Sequence, residues 1–274
     1  MKNKILVYDD NCPLCSWYSS LFTRYGFLPP DGRVAFSILD PELLVRIDVD
    51  KSRNEIPLLD TITGEVVYGI DALLEILGQR FTVIKTIGHI KPVNRVLKKL
   101  YKLISFNRKV IVAKKCSPGA IDCAPDMNYF YRILFMLLFL VFNTVMLYPL
   151  HNSLLSRVSF FTVSINELLA AHFFLFGINC LLSLNLKKQK SIEYLGQVNM
   201  LALIGILLLL PIHLVSQFMD LDKSIILFYL TAVTIVVFRE YIRRMEYASV
   251  LPTNKWIATI NFVCMGGFIL FLFI

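Results

Sequence analysis

Two cysteines three positions apart, in the stretch YDDNCPLCS from Tyr8 to Ser16, are the residues of this chain best suited to chemistry. A Cys-x-x-Cys pair can cycle between dithiol and disulfide, supply half of a zinc site, or be a structural coincidence. Tetrahedral zinc needs four ligands. The only other cysteines outside the strongly apolar segments are Cys116 and Cys123, far along the chain and without that spacing, and His89 stands alone. Thiol chemistry is the expected use, with a zinc site and a purely structural pair as the alternatives.

The elements that must position the pair follow from periodicity and turn residues. Ile5 to Tyr8 reads as a strand and Ser16 to Tyr25 as a helix, so the cysteines fall at a strand-to-helix junction. Val34 to Leu39 reads as a second strand and Pro41 to Ile47 as a helix capped by Asp40. Pro57 to Asp60 and Glu65 to Tyr68 form a hairpin across TITG; Gly69 breaks the strand, and Ile70 to Leu77 is a helix that Gly78 stops. This order is a thioredoxin-like α/β arrangement. At a helix N-terminus, unpaired N–H groups and the helix dipole favour a thiolate, which makes Cys12 the attacking group and leaves Cys15 to resolve the mixed disulfide. Pro13 fits the first turn, where its missing N–H costs nothing. Pro57 stands where thioredoxin-like folds carry a cis-proline that seats a bound thiol substrate.

These residues resemble the signature of the thiol-disulfide oxidoreductase DCC family, named for an aspartate and two cysteines, which here are Asp9, Cys12 and Cys15. YGIDALLEIL is similar to that family's helix start, and KPVNRVLKKLYKLISFNRKV to its closing helical segment, with Tyr101, Asn107 and Arg108. The resemblance covers residues 4 to 112. The family's glycine is Asp10 here, and a second carboxylate should oppose the Cys12 thiolate. Asp9 is either a proton acceptor for Cys15 or a turn residue. Cys116 and Cys123 are possible accessory thiols or an unremarkable loop pair.

The rest of the chain is built for lipid. The 274 residues are 56% hydrophobic and only 18% charged, with a mean hydropathy of +0.63, too apolar for an ordinary soluble domain. Five segments are apolar over membrane-spanning lengths: 129 to 150, 163 to 184, 195 to 217, 225 to 237 with its flanks, and 256 to 274. The expected division is a thioredoxin-like domain at 1–82, a basic helical linker and cysteine-containing loop at 83–128, and an all-α polytopic membrane domain at 129–274. The basic residues, read as membrane-proximal, argue against nucleic acid despite the net charge of +8. They include Lys98, Lys99, Lys102 and Arg108, loop residues Lys187, Lys188 and Lys190, and Arg239, Arg243, Arg244 and Lys255. By the positive-inside rule the N-terminal domain is cytoplasmic and the C-terminus lies across an inner or plasma membrane. His172 and His213 are expected to be structural histidines, Glu167 to lie at the interface, and Gly266 and Gly267 to allow close helix packing.

The expected function is a membrane-tethered enzyme that exchanges thiols and disulfides with a protein or glutathione-like substrate. It needs no dissociable cofactor, because the cysteines carry the electrons. The alternative is a non-catalytic thioredoxin-like docking module on a membrane scaffold or transporter.

Overall fold

In the computed structural model, residues 1, 3–114, 125–158 and 163–273 are described. Cys116 and Cys123 lie outside them. The chain divides into two compact units, Met1–Arg132 and Ile133–Ile274.

The first unit is a small mixed sheet with helices. Strands β1 (Lys4–Tyr8), β2 (Arg33–Ala35), β3 (Pro57–Asp60) and β4 (Val66–Tyr68) lie in the order β2-β1-β3-β4. β1 and β2 are parallel, and the β1–β3 and β3–β4 pairs are antiparallel. The side-chain period of two explains why β1 sits centrally. Leu6 packs with Leu58, Ala72 and Ile76 on one side, while its neighbour Val7 packs with Leu59, Phe36 and Ile47 on the other. A strand apolar on both faces must be covered twice. Helices α1 (Pro13–Arg24), α4 (Gly69–Gly78), α5 (Thr82–Gly88) and α6 (Lys91–Val112) belong to this unit, as do the short α2 (Pro41–Leu44) and α3 (Val49–Ser52).

Several expectations change in detail. The second strand ends at Ala35, and Phe36–Ile38 is a 3-10 turn that puts Phe36 and Leu39 into the core. Asp40 caps α2 through the Glu42 N–H at 2.9 Å, but that helix ends at Leu44. Gly69 does break the strand, at φ +62°. Gly78 has another reason to be glycine than a left-handed stop: a Cβ there would lie 2.6 Å from Lys85 Cβ of α5. Lys98 pairs with Asp71 at 2.8 Å and Lys102 with Glu55 at 3.8 Å, so these half-exposed lysines bind carboxylates of their own domain.

The second unit is all helical. α7 (Tyr129–Leu150) contains Pro149 and runs through a wide turn at His151–Leu155 into α8 (Ser156–Val158). Proline removes one main-chain donor and crowds the turn before it, and the widened turn follows within two residues. α9 (Ile165–Ser183), α10 (Lys188–Ser216) and α11 (Lys223–Tyr247) follow, then α12 (Val250–Thr253) and α13 (Lys255–Phe273). Among the described residues, four helices are long and apolar enough to cross a membrane, and α13 is a shorter apolar fifth. Lys188 and Lys190 lie in the first turn of α10, and Arg239, Arg243 and Arg244 within α11, so neither group is in a loop. Arg244 is fully buried, with Glu240 at 2.8 Å and Gln197 at 2.6 Å. Glu167 closes a capping box with Ser164 at the start of α9. His213 bonds Ser153 at 2.7 Å. A Cβ at Gly266 or Gly267 would meet nothing within 4 Å, so close packing is not their reason.

The tight α4–α5 approach gives a direct test. Gly78→Ala should destabilise the first unit by about 1–3 kcal/mol through overpacking against Lys85. The readout is faster proteolysis and hydrogen exchange in α4 and α5 of the full chain, with the membrane helices unaffected.

Candidate active site

The site is built at the end of β1, where the chain turns into α1. Asp9 accepts the Asn11 N–H at 2.9 Å with its side chain, and its carbonyl accepts the Cys12 N–H at 3.2 Å. This turn delivers Cys12 as the N-cap of α1, in extended conformation, with Pro13 as the first helical residue. A cap side chain normally carries oxygen; here the Cys12 sulfur takes that place and accepts the Cys15 N–H at 3.4 Å. Both cysteines are buried, Cys12 at 8% exposure and Cys15 at 3%. They are free thiols.

The position of Arg108 was not anticipated from sequence. From α6 its Nη1 lies 3.3 Å from Cys15 Sγ, and its Nη2 donates to the Arg53 carbonyl at 2.9 Å and lies 3.7 Å from Asp9 Oδ2. It is therefore a buried cation facing two acids, not a membrane-proximal charge. Tyr101, Ser105 and Arg108 are spaced i, i+4, i+7, on one helical face. The three reach consecutive parts of one loop: Tyr101 Oη accepts the Ile56 N–H at 2.9 Å, Ser105 donates to the Asn54 carbonyl, and Arg108 bonds Arg53. That spacing was the available signal, hidden among the lysines of the same helix.

Pro57 follows this loop, and the Ile56–Pro57 peptide is trans, as are all bonds of the described residues. The isomer is open from the sequence; the preceding backbone, expected to pair with a bound thiol substrate, is occupied. The Ile56 N–H is held by Tyr101 and its carbonyl accepts the Gly69 N–H at 2.9 Å. Pro57 itself is buried at the start of β3.

The electrostatics separate the two thiols. Cys12 is lowered to about 6, chiefly because Cys15 hydrogen-bonds to its sulfur, with the Cys15 N–H and the Arg108 charge adding to this against burial and Asp9. Cys15 is raised well above the ordinary thiol value, since its proton is engaged with Cys12 and it is buried. Burial raises Asp9, and Arg108 pulls it down. The carboxylate that opposes the Cys12 thiolate is thus Asp9, whereas the exposed Asp10 acts on Asp9. Asp9, Cys12 and Cys15 offer three ligand atoms within 4.8 Å of one another. A metal ion there would have to share one sulfur with the Arg108 guanidinium, and like charges oppose that.

A pH titration follows with a definite sign. A depressed thiol is reactive above its pKa, so alkylation of Cys12 by iodoacetamide should be flat above about pH 7 and fall about tenfold per unit well below 6. In Arg108→Gln the midpoint should move up by about one unit or more. Mass spectrometry of the Cys12 peptide reads both; an unmoved midpoint would remove Arg108 from the electrostatics.

Comparison with known proteins agrees with this architecture. Residues 6–114 match the family model for DCC1-like thiol-disulfide oxidoreductase. No curated protein matches the chain, and no solved structure does. The matched region takes in the cysteine turn, most of β1, the other three strands and the whole of α6 with Arg108. Residues 6–114 therefore form a DCC1-like thiol-disulfide oxidoreductase domain, and a helical region with four apolar membrane-span candidates follows it.

Proposed function

We propose that this protein is a membrane-tethered thiol-disulfide oxidoreductase that works through the CPLC dithiol. The observation that carries the reading is the Arg108 guanidinium beside Cys15 and Asp9, next to a Cys12 sulfur that caps a helix N-terminus. The Cys12 thiolate attacks one sulfur of a substrate disulfide and forms a mixed disulfide, and the other substrate sulfur leaves as a thiolate. Cys15 then loses its proton and attacks Cys12 Sγ, which closes the Cys12–Cys15 disulfide and releases the second substrate thiolate. The substrate gains two electrons and the enzyme loses two; the reverse sequence oxidises a dithiol. Asp9 stands close enough to accept the Cys15 proton, with a carboxyl that burial raises above its ordinary value. Arg108 then balances whichever acid is charged.

Pro57 contributes through a fixed start to β3, and substrate must be seated elsewhere than on the committed Ile56 backbone. The substrate class is a thiol or disulfide, protein or glutathione-like. Cys116 and Cys123 are accessory thiols in this reading, exchanging with the oxidised pair. The N-terminal domain faces the cytosol and the C-terminus the opposite side of an inner or plasma membrane, on the basic residues Lys187, Lys188 and Lys190 between the second and third spans.

The midpoint potential of the pair in the full chain, measured by equilibration in glutathione buffers and alkylation of free thiols, is expected between about −300 and −120 mV. Cys12→Ser should abolish disulfide exchange, and Cys15→Ser should trap mixed disulfides. An intact exchange rate in Cys12→Ser, or a pair that never oxidises, would leave the docking reading in its place.

A further inference from the structure

Two adjoining cavities, of about 200 Å³ and about 160 Å³, lie within the helical unit and share Asn143, His172, Asn179 and Ala202 among their linings. The walls are otherwise mainly aliphatic. Polar side chains between membrane helices are costly unless paired, and Asn179 is paired: its oxygen receives the Tyr194 hydroxyl at 2.6 Å and the Asn261 amide, and its nitrogen donates to the Leu175 carbonyl at 2.8 Å. Asn143 is different. It is 2% exposed, and its side-chain oxygen has no hydrogen-bond partner. Asn199, on the smaller cavity, donates its nitrogen to the Met136 carbonyl at 2.7 Å, which fixes the orientation of the amide, and its buried oxygen is also unpartnered.

His172 follows the same pattern. Its Nε2 lies 3.2 Å from Thr144 Oγ1, whose proton is committed to the Leu140 carbonyl at 2.8 Å. The ring must donate at Nε2, which leaves Nδ1 an acceptor on a neutral imidazole. The polar part of this wall therefore holds two unpartnered acceptor oxygens, on Asn143 and Asn199, beside the His172 ring and the Thr234 hydroxyl of the larger cavity. Its complement is an apolar frame that carries two hydroxyl groups. An acyl chain offers no donor and a fatty alcohol only one. A cavity of about 150 Å³ holds a benzene ring, so either space takes one six-membered ring.

We infer that these cavities form a binding site for a lipid-soluble quinol, whose two hydroxyls donate to Asn143 and Asn199. The oxidised quinone, with carbonyls in place of hydroxyls, has nothing to donate and binds more weakly. The choice of a redox-active ring rests on the thiol-disulfide reading, because a dithiol domain needs a two-electron partner; the hydrogen-bond argument stands without it.

The test uses the full chain in nanodiscs under anaerobic conditions, with equilibrium dialysis of a short-tailed benzoquinol and its benzoquinone against empty nanodiscs. The quinol should bind about tenfold or more tightly than the quinone, and Asn143→Leu and Asn199→Leu should each weaken it about tenfold. If either variant fails to keep the wild-type melting temperature, Ala202→Phe, which fills the shared space, should abolish binding instead. The Cys12→Ser, Cys15→Ser double variant should bind the quinol normally, so a failed thiol reading and a failed quinol site are told apart. Equal or tighter binding of the quinone, retention no greater than in empty nanodiscs, equal retention of an alkane of the same tail, or binding unchanged in folded Asn143→Leu or Ala202→Phe would overturn the proposal.

Discussion

The first unit depends on one buried cation. A guanidinium withdrawn from water needs anionic or carbonyl partners on several sides, and Arg108 has them in Cys15, Asp9 and the Arg53 carbonyl. One positive charge thus serves two acids. With Cys12 as thiolate and Asp9 ionised the cluster carries net negative charge; with Asp9 protonated it is neutral. Burial raises Asp9, while the Cys15 hydrogen bond to the Cys12 sulfur, helped by the Cys15 N–H and Arg108, lowers Cys12 against burial. A proton can then move between carboxyl and thiol with little change in the charge that the buried surroundings have to bear.

That cation is delivered by α6, a helix outside the minimal four-stranded fold. The sheet and α1 are enough to place Cys12 at a helix N-terminus, but they supply no counter-charge. Tyr101 and Ser105, on the same face as Arg108, hold the loop before β3 through its Ile56 and Asn54 backbone groups. The helix therefore sets two things together: the charge beside the thiols and the course of the chain leading to Pro57. This coupling explains why both Ile56 backbone groups are engaged internally.

What could be read from the sequence was what depends on neighbours along the chain. The Cys12–Pro13–Cys15 turn, the Asp40 cap and the hairpin at Pro57–Tyr68 are specified within a few residues, and they stand as read. Membrane-spanning stretches are equally local, because an apolar run long enough for a bilayer has few other uses. Inward and outward charges look alike in sequence. Lys98, Lys102, Arg108 and Arg244 all read as membrane-proximal basic residues, yet each is turned onto a carboxylate of its own unit. The run from Val34 to Leu39 failed for a related reason. An apolar hexapeptide suits a strand or a one-sided turn, and only the pocket around Val7 and Leu59 selects the turn that buries Phe36 and Leu39.

The basic count that orients the helices changes accordingly. The positive-inside rule concerns charges free to resist translocation, and an arginine paired with Glu240 and hydrogen-bonded to Gln197 inside a bundle is not of that kind. Arg243 is likewise occupied with Glu240, at 2.8 Å. Lys187, Lys188 and Lys190 differ from these arginines in position: they flank the start of α10. Arg244 instead fixes how α10 and α11 register against each other, because sliding either helix by one turn would strand a charge in the apolar interior.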